Sequence, residues 1–174
     1  MLFDKTKIKK ILKNEDMVAF FRTNEVYGCF SQWWISEMVI DDIKYNCCEQ
    51  YMMAMKAKLF NDETTLREIM AESSPDRLKK LGRKVKGFDS VVWDKHKYDI
   101  VLKGNLAKFS QNEGIKRKLL STGDKVLIEA SPYDNVWGVK LSKSNSNIKE
   151  VDKWLGSNLL GFALMEVREI IKNK

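Results

Sequence analysis

A mainly helical α+β fold, folded as one compact domain, is predicted by three features of the 174-residue chain. Apolar residues recur at helical spacing through most of its length. Only a few short runs, at 18–21, 38–45 and 126–130, combine β-branched and aromatic residues with flanking turn signals, so any sheet is small. With 2 prolines and 9 glycines, no long disordered segment is expected to divide the chain.

Taken in order, Ile8, Ile11 and Leu12 mark a short amphipathic helix among Lys5, Lys7, Lys9, Lys10 and Lys13, giving a basic N-terminal segment of 1–17 ahead of a core of 18–174. Residues 18–21 read as a strand. Tyr27 to Trp34 is too rich in aromatic and small residues for a plain surface loop. Asp41-Asp42, between Met38–Ile40 and Ile43–Tyr45, reads as the turn of a hairpin. Asn46 is the expected N-cap of the following helix, with Glu49 three residues later completing a capping-box-like pattern. Asp62 opens a helix that runs to about Ala71. Ser73-Ser74-Pro75 ends it and caps a third, whose stripe is Leu78, Leu81 and Val85. Residues 88–102 read as helix, and Lys103-Gly104-Asn105 is expected to separate them from a further helix ending near Leu119-Leu120. The clearest strand, 126–130, closes in the turn-rich loop Ser131-Pro132-Tyr133-Asp134-Asn135. Residues 142–147 are polar and expected to be mobile. Asn158 is the expected N-cap of a last helix, whose stripe is Leu160, Ala163, Leu164, Val167, Ile170 and Ile171.

Composition narrows the function classes. The apolar stretch at 159–165 is far short of the roughly 20 residues that cross a bilayer, and the basic start lacks the apolar core of an export signal. Cys29, Cys47 and Cys48 are odd in number and two are adjacent, which suits a reducing compartment better than a disulfide framework. A cytoplasmic location is expected, with no membrane and no obligate protein partner. The net charge of +7 points to an anionic partner such as a nucleotide, a sugar phosphate or nucleic acid. Because the lysines are spread along the chain, a solvated basic surface explains them equally well.

Several chemistries are discounted. There is one histidine, His96, and no C-x-x-C pair, so no zinc site is expected; P-loop, G-x-G-x-x-G and G-x-S-x-G patterns are absent. The strongest chemical signal is Glu49 and Lys56. Seven residues span nearly two helical turns, so both face the same way with Met52 and Met53 between them, about 10 Å apart along the axis. Ionised groups in an apolar stripe are costly unless paired, and in a cleft their pKa values shift toward those useful for proton transfer. The same residues also admit a structural account, in which Glu49 sits at the positive end of its helix and Lys56 lays its stem over the methionines. Asp134, Trp137 and Gly138 form a second set on a loop after a strand. Asp134 also suits an Asx turn, and Trp93 and Trp137 also suit a core. Arg83 either grips phosphate or pairs on the surface.

Together and in order, these positions resemble the NADAR family, which includes the YbiA-type N-glycosidases. Phe30-Ser31-Gln32-Trp33 resembles its F/L-S-N-F element, Glu49-Gln50-Tyr51-Met52-Met53 with Lys56-Ala57 its E-Q/H-x5-K helix, and Leu81-Gly82-Arg83 its L/M-G-R. Trp93, Ala107-Lys108-Phe109, Leu119-Leu120-x-Thr122, Leu127-x-Glu129, Asp134-x-x-Trp137-Gly138 and Asn158-x-Leu160-Gly161 follow in family order. Gln32 departs from the family's Asn. The resemblance implies a single YbiA-like domain that hydrolyses, without metal or cofactor, the bond between ribose C1 and an exocyclic base nitrogen. It implies Glu49, Lys56 and Asp134 as catalytic residues and Phe30, Ser31, Arg83, Trp93, Trp137, Gly138 and Asn158 as substrate-binding. The expected substrate is ADP-ribosylated guanine, in nucleic acid or nucleotide. The alternatives are a phosphoribosylamino-pyrimidine of riboflavin synthesis and a non-catalytic module that binds ADP-ribose or NAD-like ligands.

Overall fold

The computed structural model describes residues 1–12 and 16–173; Lys13, assigned above to the basic N-terminal run, lies outside them. In chain order the elements are α1 (Lys5–Ile11), β1 (Met17–Phe20), β2 (Met38–Ile40), β3 (Ile43–Tyr45), α2 (Cys48–Leu59), α3 (Glu63–Ala71), α4 (Pro75–Arg83), α5 (Ser90–Gln111), α6 (Glu113–Leu120), β4 (Val126–Glu129) and α7 (Leu159–Lys172). Single 3-10 turns occupy Gly28–Phe30, Ser146–Lys149 and Val151–Lys153. Helices dominate the described residues and the strands are short, so the fold is α+β as the periodicity predicts. No described helix is long and apolar enough to cross a membrane. The elements gather into two compact units, 1–31 with 113–174, and 32–112.

In the first unit, β1 pairs in parallel with β4 from Met17 opposite Val126 to Phe20 opposite Glu129. Val126, Leu127 and Ile128 are fully buried. That continuous apolar run is the signature of a strand covered on both faces. α7 lies close over β4, because a Cβ on Gly161 would stand 2.2 Å from the Leu127 carbonyl oxygen. Leu160, Ala163, Leu164 and Val167 of its stripe are buried, and so are Phe162 and Met165 beside them. The helix is therefore enclosed over more of its surface than one stripe implies. Each fully buried Leu, Val, Phe or Met contributes about 1.5–3 kcal/mol.

In the second unit α2 is the central element, packed by α3, α4 and α5. Every residue from Cys48 to Ala54 is buried. Such all-round burial is what a helix apolar on every side requires. β2 and β3 form an antiparallel hairpin with Ile40 opposite Ile43. Asp41 and Asp42 take φ of 52° and 63° in its turn, a left-handed pair that short polar side chains tolerate.

Three local expectations are corrected. The N-cap of α2 is Cys47 rather than Asn46: its Sγ accepts from the Gln50 amide, while Gln50 Oε1 accepts from the Asn46 amide. The reciprocal cap thus belongs to Gln50, and Glu49 has no part in it. α5 is one helix of 22 residues, uninterrupted at Lys103-Gly104-Asn105. Gly104 is small there because a Cβ would lie 2.7 Å from the Tyr51 ring, and Asn105 is fully buried, donating to Val101 O at 2.9 Å and to Gln32 Oε1 at 2.8 Å. Helix-breaking composition there reflects close packing of α5 on α2. Asn158 does precede α7, but at φ 55° and without a side-chain cap. Its amide is used elsewhere, as described below.

Candidate active site

The chemistry-bearing side chains of the second unit centre on Lys56. Its position follows from a glycine. A Cβ on Gly82 would stand 1.8 Å from Met53 Sδ, so a larger residue here would make the flexible Met53 side chain move before α4 could approach α2 this closely. That approach brings the Gly82 carbonyl to Lys56, whose Nζ donates to it at 2.8 Å. The ammonium also lies 4.1 Å from the centre of the Phe88 ring and 5.7 Å from that of Trp93. Lys56 is half-buried, and burial holds its pKa below the ordinary lysine value. The rings favour the charged form, so they oppose part of that shift. The result is a lysine anchored at its tip and more readily deprotonated than one in water.

Glu49, two turns earlier on α2, is 3% exposed. Its backbone amide donates to the Gln32 carbonyl at 3.0 Å, which ties the first turn of α2 to the Phe30-Ser31-Gln32-Trp33 element. Gln50 beside it is structural: its Nε2 donates to the carbonyls of Ile69 at 3.1 Å and Glu72 at 3.0 Å, satisfying the C-terminal end of α3. Cys47 and Cys48 are buried, which pushes their thiols up to about 11 and about 12, so neither offers a thiolate near neutrality. Gln32 is 6% exposed; its Oε1 accepts from Asn105 but its Nε2 has no hydrogen-bond partner. Arg83 is exposed and forms no ion pair among the described residues, and Trp93 is half-buried.

The first unit holds the remaining predicted residues. Asp134 closes an Asx turn, its Oδ1 accepting from the amides of Val136 at 2.9 Å and Trp137 at 2.8 Å. The turn aims the next carbonyls at α7: those of Val136, Trp137 and Gly138 accept from the amides of Leu159, Leu160 and Asn158. The loop thereby caps the helix with backbone in place of a side chain. Gly138 is required, since a Cβ would sit 2.9 Å from the Glu129 carbonyl oxygen. The Asn158 side chain is fully buried, and it accepts from the Glu129 amide at 2.9 Å and donates to the Leu127 carbonyl at 3.0 Å. Its left-handed φ turns the chain so that this amide faces β4. Phe30 is also buried, edge-on to Phe20 with ring centres 5.6 Å apart, and Ser31 ends the 3-10 turn by donating its amide to Gly28. Asp134 Oδ2 and the half-buried Trp137 ring are the groups of this set left for chemistry.

The structure thus joins Lys56, Trp93 and the Leu-Gly-Arg segment in one unit, and Asp134, Trp137, Gly138 and Asn158 in the other. Two contributors escaped the sequence reading. Phe88 lies five residues beyond Arg83 with no periodic signal, and the Gly82 carbonyl is backbone, which residue type does not reveal.

The NADAR domain family matches residues 19–172. An N-glycosidase of Acanthamoeba polyphaga mimivirus is 47% identical over 146 residues, covering 80% of this chain and 85% of that protein. A chloroplastic riboflavin biosynthesis protein, PYRR, of Zea mays is 30% identical over 169 residues, covering 90% of this chain but 25% of its own length. The NMR structure of YbiA from E. coli is 28% identical and superposes with a TM-score of 0.73, over 91% of this chain and 86% of that one. With almost the whole chain matched, the Glu-x6-Lys helix, the Leu-Gly-Arg segment and the Asp-x-x-Trp-Gly loop are carried by a member of the NADAR domain family.

Proposed function

We propose that this N-glycosidase removes ADP-ribose from guanine, cleaving the bond between ribose C1 and the exocyclic nitrogen. The observation that carries the reading is Lys56: half-buried, lowered in pKa, anchored on Gly82 and bordered by Phe88 and Trp93. The C1=N carbon formed when the ribose ring opens needs a nucleophile that is neutral when it attacks, and aromatic faces suit a planar base. The nitrogen lone pair forms a C1=N bond as the C1–O4 bond breaks, and O4 takes a proton. Lys56 Nζ then adds to C1. After a proton reaches the base nitrogen, the base leaves as its free amine and Lys56 is bound to C1 as an imine. Water adds to that imine, releasing the sugar aldehyde and regenerating the lysine. Neither metal nor cofactor enters this sequence. Glu49 is assigned the proton transfers, and Asp134 is the alternative carrier.

Borohydride reduction during turnover tests it. The expected result is a stable adduct of the sugar phosphate on wild-type protein that Lys56→Ala does not form, with turnover in that variant down about a thousandfold. Absence of an adduct, together with substantial turnover by Lys56→Ala, would overturn it in favour of a carboxylate-activated water acting on an oxocarbenium-like C1.

A second reading is supported by the riboflavin biosynthesis relative: the substrate is a phosphoribosylamino-pyrimidine, which has the same C1-to-exocyclic-nitrogen bond. Assay of both substrates with one preparation separates the readings. The higher kcat/KM identifies the substrate, and binding of either without turnover would favour a binding module.

A further inference from the structure

The two parallel strands of the first unit end side by side, with Phe20 opposite Glu129 and the Ala130 amide donating to the Phe20 carbonyl at 2.8 Å. The segments that follow them, Phe21-Arg22 after β1 and Ser131 to Asp134 after β4, leave the same end of the sheet. Open parallel sheets form their ligand sites at that end. Asp134 belongs to the proposed site, but the ring of its neighbour Tyr133 serves neither the turn nor the core.

Tyr133 is 82% exposed, the most exposed large apolar side chain among the described residues; Phe88 is the other exposed Phe, Tyr or Trp. Its backbone is nevertheless fixed. The Tyr133 amide donates to the Ser131 hydroxyl at 3.4 Å, Pro132 precedes it, and the Asx turn of Asp134 follows. The ring centre lies 6.4 Å from that of half-buried Phe21, tilted by 49°. The guanidinium of exposed Arg22 lies 6.0 Å from the centre of the same Phe21 ring. Glu25, the carboxylate nearest Arg22 in the chain, is matched to Lys143. A ring left in water forgoes the burial that stabilises a fold. Held on a fixed backbone, it loses little conformational freedom when a planar group covers it. An aromatic face with a guanidinium close by is what a purine nucleotide requires, a stack for the base and a fork for its phosphate.

We propose that Tyr133, packed against Phe21, stacks on the adenine of ADP-ribose, and that Arg22 binds the diphosphate joining this base to the reacting ribose. The inference rests on the reading of the substrate as ADP-ribosylated guanine and deepens it, since it assigns the base far from the reacting carbon. A phosphoribosylamino-pyrimidine has no second base, so Tyr133 separates the two substrate classes.

The test compares wild-type protein with Tyr133→Ser, Tyr133→Phe and Arg22→Gln, after matching melting temperatures show that all fold. Calorimetric titration with ADP-ribose and with ribose 5-phosphate reads binding apart from turnover. Tyr133→Phe is expected to bind ADP-ribose as wild type does, and Tyr133→Ser about tenfold more weakly, the size of one base–aromatic stack. Ribose 5-phosphate should bind these three proteins equally. Arg22→Gln should weaken ADP-ribose binding and make it less sensitive to salt. On ADP-ribosylated guanosine, KM of Tyr133→Ser rises about tenfold while kcat holds. Equal ADP-ribose affinity in wild type and Tyr133→Ser overturns the proposal even if both turn over the substrate, and so does an equal loss of ribose 5-phosphate affinity, which would put the ring at the reacting sugar. Unchanged ADP-ribose affinity in Arg22→Gln overturns the diphosphate contact. ADP-ribose affinity lost in Tyr133→Ser, without turnover of either substrate class by wild type, instead removes the N-glycosidase reading and leaves the adenine position standing.

Discussion

Lys56 Nζ donates to the Gly82 carbonyl oxygen at 2.8 Å, so the tip of the candidate nucleophile is held by backbone, at a residue whose missing Cβ leaves room for Met53 Sδ. The Glu-x6-Lys helix and the Leu-Gly-Arg segment are therefore one device. Met53, between Glu49 and Lys56 on α2, fills the space that a Cβ on Gly82 would need.

Gly82→Ala is expected to destabilise the protein by about 1–3 kcal/mol through overpacking against Met53, and to lower kcat by moving the carbonyl away from Lys56. Met53→Ala in the same chain makes room for the new methyl group. Urea unfolding should then give a double-variant loss smaller than the sum of the single losses. Additive losses would show that Gly82 and Met53 are not coupled.

Asp134 is both a turn former and a proposed proton carrier, and Asp134→Asn separates the two. The amide keeps an oxygen for the amides of Val136 and Trp137, so the melting temperature should hold, while loss of the charge should cut kcat about a hundredfold if the carboxylate moves protons. Asp134→Ala loses the turn as well and is expected to melt lower. Full activity in Asp134→Asn would confine this residue to the turn.

Gln32 stands where the family carries Asn, and its Nε2 is a buried donor without a partner. Such a group costs about 1–3 kcal/mol, a cost that a substrate acceptor would relieve. Gln32→Met removes that donor, and Asn105 keeps Val101 O as an acceptor. Stability is expected to stay within about 1 kcal/mol of wild type while KM rises about fivefold, the loss of one hydrogen bond. A large loss of stability with unchanged KM would make Gln32 a packing residue.

Much of the fold was legible because its signals are local. The Asp41-Asp42 turn, the Asp62 and Ser74-Pro75 starts and the α7 stripe rest on residue types that act within a few positions. The misreadings came from groups whose partners lie far along the chain. Gly104 and Asn105 look like a break until Tyr51 and Gln32 are seen against them, and Asn158 looks like a cap until its amide is found on β4. For the candidate site, the Glu49 and Lys56 spacing was readable from helix geometry. The Gly82 carbonyl and the Phe88 ring were not, because neither follows from periodicity.

The lowered pKa of Lys56 predicts the direction of the pH–rate profile. Protonated lysine is not a nucleophile, so kcat should rise with pH until the folded pKa is passed, and that value lies below the ordinary lysine value because burial disfavours the ammonium. Phe88→Leu removes the nearer ring, which stabilises the ammonium, and is expected to move the rising limb to lower pH. A limb that does not move, or moves upward, would mean that the ring does not set the protonation of Lys56.

Acid lability should concentrate at two carboxylates of the second unit. Asp62 is held at about 2, first by the Lys86 amide and then by the Thr65 hydroxyl and amide; Glu72 is held at about 2, first by Arg77 and then by the Ser74 amide. Both folded values lie below the ordinary carboxylate values, so the folded state binds fewer protons than the unfolded chain. The stabilisation is therefore fully present above about pH 4.5 and is lost as pH falls toward 2. Asp62→Asn still offers an oxygen to Thr65 and Lys86 but does not titrate. Its melting temperature should lie below that of wild type at pH 7, and the gap should narrow between pH 4.5 and 2. A constant gap across that range would show that Asp62 contributes geometry rather than charge.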